Sequence, residues 1–206
     1  INTNNDGMLV KHIADHALTE GLKLADGDIC VEAIDAGGDV TITNPAGWSS
    51  LILFSSLNYP NAVARLLGYT PPEIYSEVIN HREDDGWTAL MFGSFSGYTD
   101  VVRTLLELGA DPNVINFNGH NALSIARSKT NTEIIDLLVA AGAVDNNEEQ
   151  AAAAGEDARA LYAKQAKARA EGEHVTREAA ELADSKKAAE AEKAKAKSGF
   201  FSFFGW

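Results

Sequence analysis

The middle of the chain carries pairs of short apolar segments whose spacing predicts paired helices. In the second segment of a pair, apolar residues recur at i, i+1, i+4 and i+5, as at Val101, Val102, Leu105 and Leu106. This spacing places the four side chains on one face of a helix, and such a face is normally buried. Because one helix pair cannot hide its apolar face alone, the pattern predicts that successive pairs stack against one another.

The pairs belong to an internal repeat. Residues 86–90 (Gly-Trp-Thr-Ala-Leu) match residues 119–123 (Gly-His-Asn-Ala-Leu) at an offset of 33 positions. An earlier copy at 47–51 (Gly-Trp-Ser-Ser-Leu) precedes the first of these by 39 positions, and a half-copy lies at 29–39. Repeats of this length indicate a solenoid of stacked helical units.

The stretch Asp-Gly-Trp-Thr-Ala-Leu at 85–90, followed by 97–113, resembles the ankyrin repeat. The family's Thr-Pro-Leu-His tetrapeptide is nowhere intact; at 88–91 it is Thr-Ala-Leu-Met. The resemblance implies a non-catalytic module for protein–protein interaction. It also implies an all-α ankyrin-repeat solenoid over residues 1–145, with short hairpin fingers and about four helix-turn-helix units at 8–40, 41–79, 80–112 and 113–145.

Local signals refine the boundaries of the helices. The second unit carries about six extra residues, in which Thr70, Pro71 and Glu73 suit the N-cap, N1 and capping-box positions of a helix. One or two added helical turns are therefore expected at about 71–79. Three glycines are expected to end the second helices, where a left-handed residue is needed: Gly37, Gly109 and Gly142.

The composition changes near residue 146. Residues 151–197 include 18 Ala and only three large aliphatic residues, too little apolar area for a core. Residues 146–198 are therefore predicted to form a solvated helical extension rich in Ala, Glu and Lys.

Residues 199–206 contain five aromatic rings and are predicted to be an anchor at a membrane surface or in a partner's groove. Alternatively, the rings fold back onto the last repeat. The rings are Phe200, Phe201, Phe203, Phe204 and Trp206.

Charge narrows the class of partner. The chain has a formal net charge of −13, and residues 1–145 hold seven cations against 19 anions, a net of −12. Nucleic-acid binding is not expected, because it requires a basic face. The acidic body favours instead a protein partner with a basic surface.

Candidate catalytic and metal-ligating groups are sparse. Cys30 falls on the buried face of a second helix, where a free thiol is usually a core residue rather than a nucleophile. His12 and His16 are four residues apart on one helix face, but the Glu of a metalloprotease motif is missing, so a surface role is favoured. The acidic run at 81–85 lacks the spacing of a calcium loop and suits a solvated hairpin tip. We predict no enzyme activity, no cofactor and no metal site.

Aromatic and acidic residues near the fingers are the candidate partner-binding set. In ankyrin folds the residue after the repeat glycine lies beside the inner concave face, and exposed aromatic side chains on a polar rim suit a binding hot spot. Alternatively, the two Trp residues only brace neighbouring fingers. The set is Trp48, Asp84, Asp85, Trp87, Phe95, Phe117 and His120.

Two functions follow from these features. The leading hypothesis is an adaptor or scaffold whose acidic body holds one partner while its C-terminal tail docks elsewhere. The alternative is a permanent structural subunit of a large, membrane-associated complex, with the tail lying along neighbouring subunits. For either function we expect an intracellular protein, either cytoplasmic or organellar.

Overall fold

The computed structural model describes residues 3–145, with side chains from residue 8, and four single positions of the extension: 156, 160, 164 and 167. The remainder of the predicted extension (146–198) and the predicted anchor (199–206) lie outside the described residues. Within the described part the chain forms nine helices and no strand longer than an isolated bridge. The helices are α1 (Thr3–Leu24), α2 (Gly27–Asp35), α3 (Ser50–Ser56), α4 (Pro60–Tyr69), α5 (Tyr75–Ile79), α6 (Ala89–Ser96), α7 (Thr99–Glu107), α8 (Ala122–Ser128) and α9 (Thr132–Ala140).

Eight of the described helices form four pairs that stack in chain order. The pairs are α1 with α2, α3 with α4, α6 with α7 and α8 with α9. The first helices α3, α6 and α8 pack side by side, and so do the second helices α4, α7 and α9. The predicted all-α solenoid of stacked helix pairs is confirmed.

One continuous hydrophobic core runs through the stack. In α7, Val101, Val102 and Leu105 are fully buried and Leu106 is half-buried, as the i, i+1, i+4, i+5 spacing predicts. In α9, the last helix of the described stack, Val139 is 53% exposed. The apolar face of a unit is therefore covered mainly by its neighbours, which is the physical basis of solenoid stability.

The helix ends follow from a few polar side chains and glycines. Ser49, Thr88 and Asn121 occupy the N-caps of α3, α6 and α8, and each side chain accepts a hydrogen bond from a backbone N–H of the first turn. After α7, Gly109 takes φ +89°, a left-handed conformation that only glycine adopts without strain. Gly37 and Gly142 do the same at φ +89° and +84°, which confirms the prediction for the second helices.

The prediction for the extra segment of the second unit is partly wrong. Thr70 is not an N-cap; it is the C-cap of α4, and its hydroxyl donates to the carbonyl of Leu66 at 2.9 Å. The hydroxyl is therefore already engaged with the preceding helix. Residues 71–74 form a turn, with the Ile74 N–H donating to the Pro71 carbonyl at 3.2 Å. The added helix α5 begins only at Tyr75 and has no side-chain N-cap.

Candidate functional site

A short hairpin, here called a finger, precedes each of α3, α6 and α8. The fingers are residues 44–48, 83–87 and 116–120. In each, the backbone N–H of the first residue donates to the carbonyl of the fifth, at 3.0, 3.0 and 2.9 Å. The fourth residue is a glycine with φ between +75° and +83°, so the repeat glycine is required by the turn itself.

The first side chain of each finger closes the turn from inside. Asn44 accepts hydrogen bonds from the N–H groups of the third and fifth residues, at 3.0 Å each. Asn116 does the same at 3.0 and 2.9 Å. In the middle finger a carboxylate replaces the amide, and Glu83 accepts from Asp85 and Trp87 at 3.0 and 2.9 Å. The three fingers thus share one geometry despite their different sequences.

Glu83 is an unusual choice for this position because it is only 5% exposed. Burial raises the pKa of Glu83 above its ordinary value, and the neighbouring carboxylates of Asp85 and Asp84 add to the increase. The two N–H donors from Trp87 and Asp85 act in the opposite direction. The middle finger therefore combines a buried carboxylate with two exposed ones at its tip.

The fingers are locked to one another through the backbone. The N–H of Asp84 donates to the carbonyl of Ala46 at 3.3 Å, and the N–H of Phe117 donates to the carbonyl of Asp85 at 3.2 Å. The ring of Phe117 lies against Gly86, where an added Cβ would come within 2.9 Å of the ring. These contacts hold the three tips in a fixed row, so side chains on the tips are pre-positioned for a ligand.

Four aromatic rings form a continuous row beside the fingers, here called the aromatic ladder. The ring centroid of Phe92 lies 4.8 Å from that of Trp48 and 5.2 Å from that of Trp87. Trp87 in turn contacts Phe95 edge-on at 5.6 Å. Distances and tilts of this kind are favourable for aromatic pairs. The ladder joins two fingers to helix α6.

The open end of the ladder already binds a cation. The ammonium group of Lys129 lies 3.9 Å from the centroid of Phe95, within the range of a cation–π interaction. Phe95 is 46% exposed, whereas the other three rings of the ladder are half-buried. The surface therefore presents one accessible ring that attracts positive charge.

Residues 22–116 match the family model described as ankyrin repeats, in three copies. This match agrees with the stacked helix pairs and their fingers. The chain contains an ankyrin repeat domain. The predicted ankyrin repeats are thereby confirmed, and the domain is a module for protein–protein interaction.

Curated relatives match short stretches of the chain. The chain is 51% identical over 51 residues to putative ankyrin repeat protein L86 of Acanthamoeba polyphaga mimivirus, which covers 23% of the chain and 9% of that protein. It is 44% identical over 56 residues to ankyrin repeat family A protein 2 of Mus musculus, covering 27% and 18%. It is 36% identical over 64 residues to the human NAD-capped RNA hydrolase NUDT12, covering 31% and 14%. The chain thus spans less than a fifth of each of these relatives.

The ankyrin stack brings three of the seven predicted binding residues together. Trp48, Trp87 and Phe95 all belong to the aromatic ladder. The two Trp side chains pack sideways on Phe92, which is also the bracing arrangement considered from the sequence. Their role in binding stays a prediction.

The other four predicted residues lie on the fingers outside the ladder. Asp84 and Asp85 are exposed at the tip of the middle finger, and His120 is exposed at the base of the last. Phe117 is half-buried against the middle finger, so its position suits bracing more than ligand contact.

Sequence reasoning missed two members of the surface, Phe92 and Lys129. Phe92 stands three residues before Phe95, on the same side of α6, and this i, i+3 aromatic pair is the signal that was available. No such signal exists for Lys129, because it lies 34 positions after Phe95 and meets it only through stacking.

The chemistry available elsewhere in the described residues is limited. Cys30 is fully buried, as predicted, and burial raises the pKa of its thiol to about 11. Among residues 8–145 no three His, Cys, Asp or Glu side chains converge as metal ligands would. None of the helices in the described part has the length and apolar composition needed to cross a bilayer.

Proposed function

We propose that this ankyrin domain is an adaptor that binds a basic segment of a partner protein along the aromatic ladder. The observation that carries the proposal is the Lys129 ammonium over the Phe95 ring at 3.9 Å. A partner's Arg or Lys side chain is expected to use the same ring in place of Lys129. Cation–π contacts contribute about 0.5–1 kcal/mol at exposed sites and more when water is excluded.

The charges around the ladder support a basic partner. Asp84 and Asp85 are exposed on the finger that carries Trp87, and residues 1–145 have a net charge of −12. An acidic surface raises the association rate of a basic partner and makes that rate sensitive to salt. The rings then supply apolar contact, while the acidic tips select for positive charge.

Peptide selection followed by variant binding tests this proposal. A randomised peptide display library is selected on the full chain, and a recovered peptide is titrated against wild type and variants by fluorescence anisotropy at low and high salt. We expect enrichment of Arg and Lys and weakening by Phe95→Ser. The double reversal Asp84→Lys and Asp85→Lys should weaken binding more than the control reversal Glu148→Lys and Glu149→Lys.

Two results would contradict the adaptor model. Selected peptides without enrichment of basic residues would remove the electrostatic part of the proposal. Binding that is indifferent to salt, to the tip reversal and to Phe95→Ser would exclude the ladder as the site.

The aromatic C-terminus completes the proposal as a second docking element. Its five rings lie within the last seven residues, and Lys193, Lys195 and Lys197 stand just before them. Such a segment suits an anionic membrane surface or a groove on a partner. Replacing the five rings with Ser should leave the melting temperature unchanged and abolish binding to liposomes or co-purification of a partner. A marked fall in melting temperature without loss of partners would contradict the docking role.

The alternative function, a permanent subunit of a large complex, is supported by the Ala-rich composition of residues 146–198. The two functions differ in how the protein purifies from its native source. An adaptor purifies alone, whereas a subunit co-purifies with fixed stoichiometry.

For both functions we propose an intracellular location, for which the single free cysteine is the supporting feature.

A further inference from the structure

Helix α1 extends well beyond the part of it that packs on the solenoid. It has 22 residues, against 5 to 10 in the other described helices. Every described side chain before Ala14 is exposed, including four large apolar ones. These are Met8, Leu9, Val10 and Ile13, at 75%, 59%, 54% and 60% exposure. Short helices without tertiary packing are marginal in water, so this end of α1 is suited to packing against something else.

The exposed residues continue into an apolar groove between α1 and α2, here called the cap groove. Its volume is about 370 Å³. It is lined on both helices at the spacing i, i+3, i+4 and i+7, the pattern that presents a single stripe to a neighbouring helix. The lining residues are Val10, Ile13, Ala14 and Ala17 of α1, Ile29, Glu32 and Ala33 of α2, and Ala36 at the C-cap of α2.

The small residues in the lining define the shape of the occupant. Ala14, Ala17, Ala33 and Ala36 leave room between the two stripes, while Ile13 and Ile29 form apolar walls. From Val10 to Ala17 the stripe on α1 covers eight residues, about 12 Å of helix at 1.5 Å per residue. An apolar helix face of about two turns matches this length, and helix-in-groove binding uses this i, i+3, i+4, i+7 arrangement.

The charge of the groove selects among possible occupants. Glu32 is the one charged residue in the lining, it is exposed, and it forms no ion pair with the described residues. A second copy of the chain in a symmetric dimer would bring a second Glu32 and a further net charge of −13 to the same interface. A helix that carries Lys or Arg beside its apolar stripe satisfies the carboxylate instead.

We propose that the cap groove binds an amphipathic helix of a partner protein, with an apolar stripe against α1 and α2 and a Lys or Arg opposite Glu32. The groove shares no residue with the aromatic ladder, so the proposal stands independently of the basic segment proposed there. It assigns the domain two separate interaction surfaces.

Designed peptides test the proposal on the full chain. The probe is a fluorescein-labelled Ala-based helix of about four turns, with Leu at i, i+3, i+4 and i+7 and one flanking Lys. One control peptide replaces that Lys with Glu, and a second scrambles the Leu positions at constant composition. Binding is measured by fluorescence anisotropy against wild type, Ile13→Ser, Glu32→Lys and the matched control Val144→Ser. Val144 is also an apolar residue with 60% exposure, but it lies outside the groove.

The proposal predicts a specific pattern of affinities. Ile13→Ser should weaken the Lys peptide about tenfold or more, because the buried Ile face is lost. Glu32→Lys should weaken the Lys peptide and strengthen the Glu peptide, while Val144→Ser changes neither. All variants replace exposed side chains, so their circular-dichroism melts should match wild type.

Several outcomes would overturn the proposal. They include equal binding of the scrambled peptide, no binding of any peptide, and insensitivity to Ile13→Ser. Sedimentation showing a dimer that Ile13→Ser dissociates would identify a second copy as the occupant. Binding of wild type, but not of Ile13→Ser, to phosphatidylserine vesicles in place of the peptides would identify a membrane.

Discussion

Replacing Phe92 with Ala separates the two roles considered for the aromatic ladder. Phe92 contacts both Trp48 and Trp87, at 4.8 and 5.2 Å between ring centroids. Phe95 contacts one Trp and one Lys and is 46% exposed. If the ladder braces the stack through Phe92 and binds a partner through Phe95, Phe92→Ala should mainly lower the stability of the fold. Phe95→Ala should mainly weaken binding of the partner.

The expected magnitude follows from the two ring pairs and the apolar burial that Phe92 provides. Each aromatic pair contributes about 0.5–1.5 kcal/mol beyond area burial, so removal of two pairs costs about 1–3 kcal/mol. The half-buried ring adds about 1 kcal/mol of apolar burial that the Ala side chain does not replace. The higher helix propensity of Ala returns about 0.5 kcal/mol. We therefore expect Phe92→Ala to lower the free energy of unfolding by about 1.5–3.5 kcal/mol. Phe95→Ala removes one ring pair and one exposed cation–π contact, so it should lower the free energy of unfolding by less, about 0.5–2 kcal/mol.

Urea denaturation of the full chain measures both variants, with far-UV circular dichroism for the helices and tryptophan fluorescence for the ladder. Near-UV circular dichroism of the folded proteins reports the packing of the Trp rings directly. Equal stability losses for the two variants would refute the division of roles. So would an unchanged near-UV spectrum in Phe92→Ala, because the ring contacts would then not exist in solution.

Three further predictions concern the finger, the domain boundary and the buried thiol. Folding raises the pKa of Glu83 above its ordinary value of 4.5, so the protonated carboxyl favours the folded state. This contribution to stability is full below pH 4.5 and is lost as the pH rises through the pKa of Glu83 in the folded protein. Glu83→Gln should therefore reduce the fall in melting temperature between about pH 4 and pH 7 relative to wild type. A chain cut at Asn147 should keep a cooperative helical melt, since the stacked apolar faces all lie before it; loss of that transition would place the tail in the core. Cys30, with a thiol pKa of about 11, should resist an aromatic disulfide reagent at about pH 8 until urea unfolds the protein, and rapid labelling of the native chain would show that the thiol is accessible.

The parts of the fold that the sequence determines are those set by local chemistry and by repetition. The apolar spacing predicts the buried faces, including Leu105, because helix geometry converts spacing into a face. Gly109 predicts a helix end, because its left-handed conformation is a property of one residue. The exposed pair Asp84 and Asp85 is likewise a property of a polar turn. None of these requires knowledge of which units touch.

Tertiary structure decided the features that depend on the offset between stacked units. The ladder joins Trp48 to Phe92 across 44 positions, and the cation contact joins Phe95 to Lys129 across 34. A periodic pattern predicts that units stack, but the relative position of two side chains in different units is set by the packing of the helices between them. For that reason the aromatic ladder and its contact with Lys129 form only in the assembled stack.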